Sequence, residues 1–130
     1  MANADPKTIV DRFLRAVFDE HDFTGIDELV ANEGLIGVLR AFLAACPDLE
    51  LTREHLVAEG NMVAVRVSAE ATHLGELRGI PATGKRWSAT ASAWYLVEDG
   101  KITDYWVNWD WLAIFEQVGA VRWVHLDSDH

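Results

Sequence analysis

Basic residues are scarce in this chain: 11 Lys and Arg stand against 21 Asp and Glu, a formal net charge of −10 over 130 residues. No basic run occurs, so nucleic acid and anionic membrane make poor partners. Cysteine is nearly absent. Cys46 stands alone, which rules out a disulfide framework and a cysteine-paired metal site, and makes a reducing, cytoplasmic compartment the expectation. His21, His55, His125 and His130 have no metal-like spacing, so no metal and no other cofactor are expected. No apolar run approaches the ~18 residues that read as a membrane span. Met1-Ala2-Asn3-Ala4-Asp5 carries neither the basic nor the apolar region of a secretory signal. There are no repeats or linkers, and the length fits one domain over residues 1–130, with a polar tail at about 126–130.

What the chain has in quantity is hydrophobic residues, half of the total, and six tryptophans. Asp5-Pro6 reads as a helix opening, and Ile9, Val10, Phe13, Leu14, Val17 and Phe18 recur at helical spacing to about Glu20. Thr24 is placed to cap a short second helix, and a third covers residues 35–45 until Pro47 stops it. The period then changes to two. Strands are expected over 49–58, 62–77 and 87–97, with a hairpin turn at Gly60-Asn61 and a loop over 79–85. A fourth strand follows the turn at Gly100, a short helix covers 111–118, and 120–125 reads as an edge strand. Helices first and antiparallel strands after argue an α+β fold, with helices packed on one face of a curved sheet and a conical cavity between them.

The stretch from Gly100 to Asp110 is the candidate site. Strict alternation puts Asp104, Trp106, Asn108 and Asp110 on one face, with Ile102 leading into it, and Tyr105, Val107 and Trp109 on the other. A face carrying indole, amide and carboxylate is an odd core and a reasonable pocket wall.

Pro47-Asp48-Leu49 and Glu59-Gly60-Asn61-Met62-Val63, then Thr72-His73-Leu74-Gly75-Glu76 and Gly79-Ile80-Pro81-Ala82-Thr83-Gly84-Lys85, occur in that order. With Asp99-Gly100-Lys101-Ile102, Trp106, Asp110, Gln117 and Gly119, they resemble the pattern of the SnoaL-like polyketide cyclases over roughly residues 47–119. The resemblance implies an NTF2-like cone, usually a homodimer, with cofactor-free chemistry on an apolar or aromatic small molecule of secondary metabolism. It also implies that Asp110, matching an Asp of the family's last long strand, is the general acid/base of an intramolecular aldol closure. Two departures stand out. Residues 30–34 join the second and third helices directly, where family members commonly carry a longer stretch with a strand and a histidine. Leu96 stands roughly where several cyclases have a second histidine.

On that reading a poorly hydrated Asp110 carboxyl moves the proton, since desolvation raises its pKa towards neutrality. Asn108 binds the substrate carbonyl, His73 assists, Trp106 and Trp94 form the apolar wall, and Asp104 lies nearer the turn. Each has a structural alternative: Asp110 as the cap of the helix at Trp111, Asn108 bonding backbone, His73 bracing the 77–85 loop, Asp104 solvated, the tryptophans as core or dimer contact. Epoxide opening is a second enzymatic expectation, although the Asp-Arg-Asp set of limonene-epoxide-hydrolase-like sites is missing. A non-catalytic ligand-binding or dimerising module is a third. Ser68, Ser88 and Ser92 lack a histidine partner, so nucleophilic catalysis has no support.

Overall fold

The structure, a computed structural model, describes residues 5–124. Asp5 opens helix α1 (Pro6–Leu14) by accepting the Thr8 N–H at 2.8 Å, with Pro6 in the first turn. The apolar stripe buries Ile9, Val10, Phe13 and Leu14, and continues through a π-helical turn, Arg15–Asp19, which buries Val17 and Phe18. The expected second helix is a single 3-10 turn, Ile26–Glu28. Thr24 does not cap it. Its own N–H donates to the Asp22 carboxylate at 2.9 Å, and the chain enters the turn through Gly25 at φ 75°.

The short junction at 30–34 is a tie between layers. The Ala31 N–H donates to the Ile102 carbonyl and the Ile102 N–H to the Leu29 carbonyl, both at 2.8 Å. Asn32 caps α2 (Glu33–Ala45) by accepting the Leu35 N–H at 3.1 Å, while its amide donates to the Thr103 carbonyl at 3.2 Å. Strands β1 (Glu50–Glu59), β2 (Met62–Thr72), β3 (Arg86–Glu98) and β4 (Lys101–Trp109) form one antiparallel meander in sequence order. Val63, Val65, Val67, Ala69 and Ala71 face the helices, and Arg66 and Glu70 face away. This is the α+β architecture expected, helices on one face of a curled sheet.

Two boundaries differ from the periodic reading. Strand β2 ends at Thr72 and does not reach Leu77, because the Leu74 and Gly75 N–H groups both turn to the Ala45 carbonyl at 2.9 Å. Glycine eases that approach: a Cβ on Gly75 would lie 3.0 Å from the Ala44 carbonyl oxygen, so the backbone would have to give by a few tenths of an ångström. Beyond α3 (Trp111–Gln117), residues 120–124 are not a strand. The Ala120 and Val121 N–H groups fold back onto the Phe115 carbonyl at 2.8 and 3.3 Å. His125 and the polar tail lie outside the described residues. No described helix is long and apolar enough to cross a membrane.

Candidate functional site

Between α2 and the inner face of the sheet lies a cavity of about 180 Å³. Valines and alanines of β2 and β3, among them Val65, Val67, Ala91 and Ala93, make its floor. Its wall is aromatic. Phe42 and Trp109 stand 5.1 Å apart between ring centroids, Trp109 and Trp111 6.5 Å, and Trp87 meets Trp109 edge-on at 6.1 Å from behind. Val38 and Arg78, both exposed, mark the mouth.

Polar groups in this lining are few. Tyr95 and Tyr105 are cross-strand partners on the inner face. Tyr95 packs its ring edge-on against Phe13 at 5.4 Å, and burial, with Tyr105 beside it, pushes its phenol well above the usual tyrosine range. Tyr95 and Tyr105 thus bring two phenol groups to the lining. Among the described residues Arg78 supplies the single cation of the lining, its guanidinium 4.6 Å from the centroid of the Trp111 ring. No carboxylate or imidazole lines the cavity among the described residues.

Asp104, Trp106 and Asn108 lie on the opposite, outer face of β4, and Trp94 on the outer face of β3. Trp94 and Trp106 are directly paired across the strands and about half exposed, 50% and 48%. They form no wall of the cavity; Trp109 and Trp111 do. The cause is a β-bulge. Val97 pairs with Ile102 but Leu96 pairs with Asp104, so Thr103 is an extra residue. Ile102 is fully buried, and counting in twos from it would turn Asp104 and Trp106 inward. The bulge reverses the phase, and Tyr105, Val107 and Trp109 take the inner face.

Asp110 is exposed at the start of α3, where its carboxylate accepts the Ala113 N–H at 3.1 Å. It is the cap of the helix whose first residue, Trp111, lines the cavity. His73 is fully buried away from the cavity. Its Nε2 faces the Ile80 carbonyl at 3.2 Å and its Nδ1 the Thr83 hydroxyl at 3.0 Å. A carbonyl only accepts, so Nε2 carries a proton and the ring braces the loop between β2 and β3. The Asp110, Asn108, His73, Trp106, Trp94 and Asp104 set is thus not brought together in one place.

Two residues of the sequence pattern have structural roles that sequence reasoning missed. Asp48 accepts the Thr72 N–H at 2.8 Å and the Thr72 hydroxyl at 2.7 Å, and pairs with Arg86 at 3.1 Å. The Thr72 bonds, then Arg86, hold its carboxyl below the usual aspartate range. Gln117 binds both backbone groups of Ser88, accepting at 2.8 Å and donating at 2.7 Å, and so pins α3 to β3. Among the described residues no group of three or more His, Cys, Asp or Glu could hold a metal ion.

A curled four-stranded meander with its cavity under two N-terminal helices defines an NTF2-like cone. Within that class the SnoaL-like polyketide cyclase family model matches residues 8–118, and the chain belongs to this family. TsrD from Streptomyces laurentii is similar at 28% identity and a TM-score of 0.79, over 93% of this chain and 99% of that one. The candidate polyketide cyclase IdmH from Streptomyces antibioticus is 27% identical, with a TM-score of 0.74 over 89% of this chain and 99% of its own. The candidate hydroxylase AclR from Streptomyces galilaeus is 25% identical, with a TM-score of 0.77 over 92% of this chain and 88% of its own. None of the curated proteins compared with it matches the chain.

Proposed function

We propose that the protein promotes ring closure, or a related rearrangement, of a flat apolar molecule held in the cavity between α2 and the sheet. The observation that carries this reading is the cavity itself, an aromatic-walled hollow with two phenols on paired strand positions and, in its described lining, no charged group besides Arg78. Its size limits the guest. An apolar cavity of about 150 Å³ takes a benzene ring, so about 180 Å³ suits one or two fused rings.

The work would rest chiefly on positioning, which supplies a large share of catalysis when two reacting ends are held together. An easily enolised substrate brings its own proton. As the enol carbon bonds to the electrophilic carbonyl carbon, the carbonyl oxygen gains a proton and the enol oxygen loses one. Tyr105 and Tyr95, donating to that oxygen and accepting from the enol, can relay the proton with no net change on the protein. Asp110 acts here only through the placement of Trp111.

The test is product formation from a candidate diketide or triketide substrate. Tyr105→Phe is expected to lower turnover by about 10²-fold or more while binding persists, and Asp110→Asn to keep turnover, because Asn also caps helices well. Abolition of turnover in folded Asp110→Asn would refute this assignment and return the proton transfer to the carboxylate. A specific observation favours a second reading: with no carboxylate or imidazole in the described lining, the cavity suits a ligand-binding module, and saturable binding without turnover would select it.

The outer face of the sheet completes the reading as a homodimer surface. Val57, Ala64, Trp94 and Trp106 pair in register straight across all four strands, and an exposed apolar band of this kind marks an association site. The two adjacent, half-exposed indoles suit a second copy of the same face.

A further inference from the structure

We propose that the ligand of this cavity is a flat organic acid whose ring system enters the hollow and whose carboxylate docks on Arg78 at the mouth. This names the substrate class and rests on the cavity being the ligand site. Arg78 sits at a position that does not favour arginine. The Leu77 N–H donates to the Ile80 carbonyl at 3.0 Å and the Ile80 N–H to the Leu77 carbonyl at 2.9 Å, closing a two-residue turn with φ 50° at Arg78 and 84° at Gly79. Positive φ at both central residues is the geometry for which Asn-Gly is preferred. A bulky side chain there carries a conformational cost that asks for a compensating use.

The use is visible in where the turn is held and what its side chain reaches. The same Ile80 carbonyl faces the His73 Nε2 at 3.2 Å, so a fully buried imidazole fixes the turn from below. From it the guanidinium lies over the Trp111 ring, 4.6 Å from its centroid, with Trp111 itself part of the cavity wall. A guanidinium held over an indole keeps its N–H donors for a carboxylate. Among the described residues the Arg78 guanidinium has no ion-pair partner within 4.0 Å. It is also the single cation in the described cavity lining of a chain of net charge −10, which as a whole repels anions. A neutral guest would need no such group. His73 is then a positioning residue, acting through Ile80 on the turn that carries Arg78.

The experiment compares 2-naphthoate with its neutral isostere 2-naphthamide, titrated calorimetrically into the wild type, Arg78→Met and Arg78→Lys, with thermal melts confirming that each is folded. The wild type is expected to bind the acid about tenfold more tightly than the amide, the size of one charge-assisted contact at a partly exposed site. In Arg78→Met that preference disappears while amide affinity stays as in the wild type, and Arg78→Lys recovers part of it. Equal binding of acid and amide by the wild type, or an equal loss of both in Arg78→Met, overturns the carboxylate assignment and leaves the cavity reading intact. Failure of both probes to bind any variant overturns the two together.

Discussion

Replacing Ala93 by leucine adds three carbons at the middle of the cavity floor, where Ala93 is buried between Val65 and Val107. An empty hollow costs about 24 cal/mol per Å³ in forfeited packing. Applied to about 180 Å³ this gives a ceiling of about 4 kcal/mol, lowered by water entering at the mouth. Three added methylenes recover at most about 2.4 kcal/mol, at about 0.8 each. Allowing for rotamer strain, about 1–2 kcal/mol remains, which raises the melting temperature by about 3–8 °C for a domain of this size. Binding of 2-naphthamide should be lost in the same variant. Stability and function would move in opposite directions, the behaviour expected of space kept open for a ligand. Thermal unfolding and calorimetry on one preparation decide it. A lowered melting temperature would show that side chains already fill the space, and unchanged binding would show that the ligand sits elsewhere.

The outer face and the β1–β2–β3 corner give two further expectations. Trp106→Glu puts a charge in the apolar band beside Trp94 and, on the proposed dimer, should give a monomer in light scattering with little change in fold; a wild type that is already monomeric removes the band from that role. Asp48, whose folded pKa lies below its unfolded one, contributes stability that is fully present above the unfolded aspartate range and lost as pH falls through the folded value. Asp48→Asn should therefore melt below the wild type at pH 7, with the gap closing towards pH 3. A gap that stays constant with pH would mean that the carboxylate's charge is not what Thr72 and Arg86 recognise.

The sequence by itself carried the architecture. Helical spacing in α1 and α2 and the period of two in β2 and β3 fix which residues face a common core, because each element must bury one face and the apolar residues say which. The ordered motifs carried the family, and local chemistry carried the Asp5 and Asp110 helix caps. The direction of β4 was a different matter. Its two faces both hold aromatic residues, and the one fully buried anchor, Ile102, lies on the far side of an extra residue. Only pairing with β3 places Thr103 in a bulge, and that single residue moves Trp106 to the outer face and Trp109 to the cavity. The junction at 30–34 likewise reads in the sequence only as a shortened connection, and its bonds from the Ala31 N–H and the Asn32 side-chain amide to β4 belong to the folded chain. Register between strands distant in sequence, and the partner of a loop's backbone, are settled by the packed molecule as a whole; no window of neighbouring residues contains them.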